Sequence, residues 1–196
     1  MRQAPPVDRI PDPDWDQLVR FRETSDWPEG SKVEILGGVV VVSPPPTLSH
    51  CRVAERCLRL LYTGMPDDWG GYRTLAVAHR PYGLYVPDVV VVPDTDVLAQ
   101  GTASSVPLTA AHLVAEITTR PDARIDRIDK AAAYASAGVP LYLLIDRFGP
   151  AGPTVTLHAE PKNNLYQVLQ KEAFGQGIRL PPPFELALDT GVFPVD

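Results

Sequence analysis

Three short stretches carry residues able to do chemistry. Pro87-Asp88-Val89-Val90-Val91-Val92 and Leu113-Val114-Ala115-Glu116-Ile117-Thr118 are each an apolar run of strand length with one acid in it. An acid in a buried strand loses its hydration, and a cation or hydrogen-bond donors must offset that loss. The third stretch, Asp126 to Lys130, sets a lysine just downstream. Two carboxylates from neighbouring strands suit a hard divalent cation such as Mg²⁺, with Mn²⁺ as an alternative. Such an ion takes oxygen ligands and keeps positions for water and substrate phosphate. A nearby ammonium would orient an attacking water or stabilise charge developing on the phosphoryl group. Asp88 and Glu116 are therefore the expected metal ligands, and Lys130 their cationic assistant.

The elements around these residues must bring them together. Side chains alternate along a strand, so Glu116 and Thr118 share one face while Ala115 and Ile117 share the other. Asp88 opens its strand after Pro87, at an end where a side chain can enter a cleft. A helix is expected from about Arg124 to Ala137, stopped by Gly138. On its wheel Asp126, Lys130, Ala133, Tyr134 and Ala137 share a face. Taken alone, Asp126 and Lys130 at i, i+4 read equally well as a surface ion pair worth roughly a few tenths of a kcal/mol.

Upstream, Asp12-Pro13 reads as a helix cap and first turn, followed by a short amphipathic helix to about Thr24. Val33–Leu36 and Val39–Val42 flank Gly37-Gly38 and read as a hairpin. Glu34 on it is either an outward edge residue or a neighbour of the metal. Pro44-Pro45-Pro46 ends the hairpin, and Thr47 or Ser49 caps a helix to about Tyr62. His50 lies in its first turn, where a structural hydrogen bond is the commoner role. Arg52, Arg56 and Arg59 form a basic stripe, which is either a solvated face or a phosphate-neutralising one. Short strands are expected near Thr74–Ala78 and Gly83–Val86. A long polar connection is expected from Asp94 to Ala111, a buried strand at Leu141–Ile145, and a last hairpin from Thr154–His158 and Leu165–Leu169.

With 196 residues and 44% apolar content, the chain can bury one sizeable core. No run has the length to cross a bilayer, and Met1–Pro6 lacks the apolar segment of a signal peptide, so a cytoplasmic location is expected. Cys51 and Cys57 would lie roughly 9 Å apart along one helix, too far for a disulfide, and read as core thiols. A net charge of −6 argues against a general nucleic-acid binder but allows a local basic surface. A Ser/His/Asp triad finds no support, because no nucleophile-elbow glycine pattern stands near His50, His79, His112 or His158.

Pro87-Asp88, Glu116-Ile117-Thr118, Asp126…Lys130…Tyr134, Gly138-Val139-Pro140 and Leu141–Asp146 together resemble the Uma-two family. So does the block Val33–Gly38…Ser43-Pro44…His50. The resemblance covers roughly residues 31 to 189, and the order of motifs is more specific than any one of them. It implies an α/β (α+β) restriction-endonuclease-like fold of the PD-(D/E)xK nuclease superfamily. Such a fold has a central mixed β-sheet flanked by helices, here with N-terminal and C-terminal β-hairpins. Residues 1–30 would be an extension with a short helix, and residues 31–196 the nuclease-like domain. The superfamily's usual lysine position holds Thr118, and Lys130 resembles the family's lysine on the following helix. Glu34 resembles an additional catalytic acid, and His50 and Tyr134 accessory positions. Two departures are Thr118-Thr119-Arg120-Pro121, where serine-proline is usual, and Leu143 in place of tryptophan.

The expected function is a Mg²⁺-dependent endonuclease acting on nucleic acid, DNA first, with Arg52, Arg56, Arg59, Arg120, Arg124 and Arg127 along the backbone. A homodimer would suit action on two strands. The rival is a catalytically inactive binding or regulatory module that keeps the nuclease fold.

Overall fold

A computed structural model describes residues 14–194. The Asp12-Pro13 cap lies outside them. Helix α1 (Trp15–Thr24) begins instead at Asp14, whose carboxylate accepts the Asp16 N–H. Its Trp15, Leu18 and Val19 pack on a small core of Ile35, Ala76, Leu84 and Val86. Strands β1 (Lys32–Leu36) and β2 (Val39–Ser43) form the expected hairpin. Gly37 and Gly38 both have positive φ, +57° and +79°, which glycine adopts without the clash a Cβ would bring.

After the prolines, Thr47 caps α2 (Leu48–Leu61), its side chain accepting the His50 N–H. Strands β3 (Trp69–Tyr72), β4 (Val77–His79), β5 (Gly83–Tyr85) and β6 (Val89–Pro93) follow. β3 was not expected, because Gly70-Gly71 weakens any strand pattern. In the fold Gly71 lets the strand lie against α2, since a Cβ there would stand 2.4 Å from Leu58 Cδ1. The polar connection expected from Asp94 to Ala111 carries structure of its own: α3 (Asp94–Ala99), β7 (Val106–Pro107) and a 3₁₀ turn at Leu108–Ala110. Val106, Leu108 and Ala111 are buried there, too widely spaced to show as a periodic pattern.

The acid-bearing run Leu113–Ile117 is β8. A π-helical segment, Ile125–Lys130, leads directly into α4 (Ala131–Ser136). The expected helix is therefore present, but its first part is underwound, with i→i+5 hydrogen bonding of the kind often found at functional sites. β9 (Leu141–Asp146) is buried throughout, and β10 (Thr154–Lys162) and β11 (Leu165–Ala173) make a long hairpin. β12 (Gly177–Arg179) and β13 (Ala187–Asp189) pair in a small closing sheet.

The central sheet is mixed, in the order β11-β10-β9-β8-β6-β3, and only β8 and β9 run parallel. A second sheet, β2-β1-β5-β4-β7, lies beside it. On one face of the central sheet, Val89, Val91, Leu113, Ala115 and Ile117 meet Val53, Ala54, Cys57 and Leu61 of α2. On the other, Val90, Val92, Val114, Tyr142 and Leu144 meet Tyr134 of α4. Two-residue periodicity thus divides each strand between two cores, with a helix over each. Both cysteines are free, Cys57 in the core and Cys51 half-buried rather than fully interior. Among the described residues no helix is long and apolar enough to cross a membrane.

Candidate active site

β6 and β8 pair antiparallel with Val89 opposite Ala115, so Asp88, one residue before β6, arrives beside Glu116. Both acids are buried, at 8% and 0% exposure. Asp88 Oδ2 accepts the Ile117 N–H at 2.8 Å. Its Oδ1 accepts from Lys32 Nζ at 2.8 Å and lies 3.1 Å from His50 Nε2. Glu116 Oε1 accepts from Lys130 Nζ at 3.0 Å and from the Tyr134 hydroxyl at 2.5 Å. Its Oε2 is buried and accepts no hydrogen bond from any described residue, with Lys32 Nζ 3.8 Å away.

Lys130 points inward. Its ammonium meets Glu116, Glu34 Oε1 at 3.1 Å and Asp126 Oδ1 at 3.5 Å. Glu34 faces the interior as well, and its Oε1 also accepts the Val86 N–H at 2.8 Å. The π-helical segment and α4 bring Asp126, Lys130 and Tyr134 to one buried face. His50 reaches the site from the first turn of α2, and Lys32 from the first residue of β1.

Burial pushes these acids towards neutrality, and cations oppose it. At Asp88, burial is outweighed by Lys32 and His50, which hold the carboxyl well below its usual range. At Glu116 burial prevails over the Lys130 and Lys32 charges, and the pKa is raised. Asp126 is pushed up to about 8 by burial and by the Glu116 charge, so it is largely neutral near pH 7. Burial lowers the pKa of Lys130 and Lys32, but the surrounding carboxylates more than reverse this and keep both ammonium groups charged. A lysine so held cannot take a proton from water.

Asp88 Oδ1 and Glu116 Oε2, which accepts no hydrogen bond, converge on one cationic atom, Lys32 Nζ. Two carboxylate oxygens facing one point are what a Mg²⁺ site completed by water and phosphate requires. Among the described residues, no three Asp, Glu, His or Cys side chains make a fuller cage. The residues fit an ion held by Asp88 and Glu116, in the place where Lys32 Nζ now lies.

Thr118 donates to Asp146 Oδ1 at 3.1 Å and accepts the Arg147 N–H at 3.0 Å. The basic residues separate into three groups. Arg52, Arg56 and Arg59 line a groove of about 350 Å³ with Cys51, Glu55 and Arg73, and Arg59 pairs with Glu55. Arg124 is exposed and pairs with Asp129 at 3.3 Å, while Arg120 lies over the Phe148 ring at 4.6 Å. Arg127 was expected along a nucleic-acid backbone. Its guanidinium is instead taken up by both Asp146 oxygens at 2.8 Å and by the Phe148 carbonyl at 3.1 Å. Lys32 was missed altogether. The one available signal was that it stands two residues before Glu34 and so shares its strand face.

A family model described as "putative restriction endonuclease", Uma2, matches residues 16–192. The chain belongs to the Uma2 family. The Uma2 match takes in the Glu34 hairpin, both acid-bearing strands and the Lys130 helix. Among solved structures, the crystal structure of a "putative nuclease" from Anabaena variabilis superposes with a TM-score of 0.68 at 16% identity. That similarity covers 90% of this Uma2 chain and 96% of the other. No curated protein matches the sequence. The family model carries the description of a restriction endonuclease, and the superposition shows a shared fold.

Proposed function

We propose that this protein is a Mg²⁺-dependent endonuclease that hydrolyses phosphodiester bonds of nucleic acid, DNA in the first instance, with Mn²⁺ able to replace Mg²⁺. The observation that carries the reading is the convergence of Asp88 Oδ1 and the hydrogen-bond-free Glu116 Oε2 on a single cation position. Asp88 and Glu116 hold the ion. Bound there, it supplies positive charge to the phosphoryl oxygens and lowers the pKa of water.

The protein's own groups prepare that position. Ile117 N–H and His50 fix the Asp88 carboxylate. Lys130 and Tyr134 hold Glu116 Oε1, which turns Oε2 towards the ion. Glu34 and Asp126 anchor Lys130 from behind. Lys130 thus orients Glu116 and adds positive charge near the scissile phosphate. Arg52, Arg56 and Arg59 follow the phosphate backbone along the α2 groove, with Arg124 on a second exposed surface. A homodimer would place two such centres on the two strands of a duplex.

One observation favours a second reading. Both acids already have ammonium partners, which suits a nuclease fold kept as a binding module without catalysis. Cleavage of plasmid and single-stranded DNA with Mg²⁺ or Mn²⁺, alongside calorimetric titration of each ion, separates the two. The nuclease reading expects ion binding and cleavage, both lost in Glu116→Ala. Ion binding without cleavage of DNA or RNA supports the binding module, and no ion binding at all removes the metal centre.

A further inference from the structure

Among the described residues of the buried cluster, Lys32 is the most exposed. Its side chain is 24% exposed, against 5% for Lys130, 6% for Asp88 and 1% for Glu116. It starts at the first residue of β1, opposite Ser43, where the hairpin ends. From there a flexible four-carbon stem carries its ammonium between the two carboxylates. It lies in full contact with one of them, at 2.8 Å from Asp88, and short of the other, at 3.8 Å from Glu116 Oε2. A single ammonium satisfies one carboxylate oxygen and leaves the second buried without a hydrogen bond. A doubly charged ion at the same point would engage both.

We propose that Lys32 is a resident stand-in for the divalent ion, and that ion binding and departure of the Lys32 ammonium from the Asp88–Glu116 pair are one exchange. The inference rests on the metal reading given above. Without the ion, Lys32 keeps two buried carboxylates from facing each other uncompensated, so the site stays folded and closed. With the ion, Lys32 Nζ and the cation cannot share a position. The stem then swings its ammonium outward at the first residue of β1, where the Lys32 side chain is already partly exposed. Lys130 stays in place, because Glu34 and Asp126 hold it independently of the ion. The apparent affinity for the ion is consequently lowered by competition from the tethered ammonium, by a factor a lysine-free site does not carry.

Two measurements test the exchange, and neither depends on cleavage. In the first, the wild-type protein is labelled with an amine-reactive reagent across a Mg²⁺ or Mn²⁺ titration and read residue by residue by mass spectrometry. The exposed Lys162 and Lys171 serve as references and the buried Lys130 as an internal control. Labelling of Lys32 is expected to rise with the same midpoint as calorimetric ion binding, while Lys130 stays protected. In the second, Lys32→Met keeps the stem and removes the charge, and its Mn²⁺ dissociation constant is expected to fall by about tenfold or more. Ion binding with unchanged Lys32 labelling, or Lys32→Met binding the ion equally or more weakly, overturns the exchange and leaves the metal reading standing. Absence of ion binding by both proteins overturns the two together. If Lys32→Met does not fold, the wild-type labelling decides alone.

Discussion

Lys130 Nζ stands 3.1 Å from Glu34 Oε1, and this contact ties the N-terminal hairpin to the helix that follows the central strand. Lys130 and Glu34 are 4% and 3% exposed, so the contact is dry. Lys130→Met should therefore leave Glu34, Glu116 and Asp126 buried around an apolar side chain. The expected loss is about 3–5 kcal/mol, the range for breaking one partner out of a buried ion pair. Urea denaturation followed by circular dichroism measures it. Lys130→Arg should recover little, because a planar fork does not fit three carboxyl groups arranged around a point charge. A loss under about 1 kcal/mol, the range of surface pairs, would mean that the cluster is wetter than described.

Tyr134→Phe removes one hydroxyl and keeps the ring against Tyr85 and Tyr142, at centroid distances of 5.4 and 5.3 Å. The hydroxyl donates to a carboxylate, so stability should fall by about 1.5–3 kcal/mol. Under the nuclease reading the same change frees Glu116 to rotate, and ion affinity should weaken as well. Calorimetry on the folded variant is the check.

The Arg127–Asp146 pair makes a pH-dependent prediction. Burial raises the Asp146 pKa, but Arg127, the Phe148 N–H and the Thr118 hydroxyl outweigh it and hold the carboxyl below its ordinary range. An acid depressed in the folded state contributes stability above its unfolded pKa, about 3.9 for an aspartate, and that contribution is lost as the pH falls through the folded value. Asp146→Asn should therefore melt lower than wild type at pH 7, with the difference narrowing as pH falls below about 4. A melting-temperature series across pH tests this, and a constant difference down to acid would contradict it.

Arg56 in the α2 groove and Arg127 at Asp146 should respond differently to substitution. Arg56→Ala, in the α2 groove, should weaken nucleic-acid binding without loss of thermal stability. The slope of log K against log salt should shrink by about 1 for each phosphate contact removed. Arg127→Ala should instead lower the melting temperature, since it leaves Asp146 without its bidentate partner. Fluorescence anisotropy at several salt concentrations, paired with thermal melts, reads both.

Much of this protein is written locally. Single acids inside apolar runs marked Asp88 and Glu116, the Gly-Gly pair marked the β1–β2 turn, and helical spacing put Asp126, Lys130 and Tyr134 on one face. These signals depend on neighbours a few residues apart, and strand alternation and helix period report them directly. The elements that were missed lack such a signal: β3 is half glycine, and the segment after β6 buries isolated residues rather than a stripe. Direction and partnership came only with tertiary structure. Whether Glu34 faces in or out, whether Arg127 is available, and what fills the space between the two acids depend on contacts far apart in sequence. Lys32 and Asp88 are separated by 56 positions, and their 2.8 Å contact exists because β1 of one sheet and β6 of the other both begin at one buried charge cluster. Residue type dictated that buried acids would need cations. Which cation each acid received was decided by strand pairing and by the burial that excludes water as an alternative.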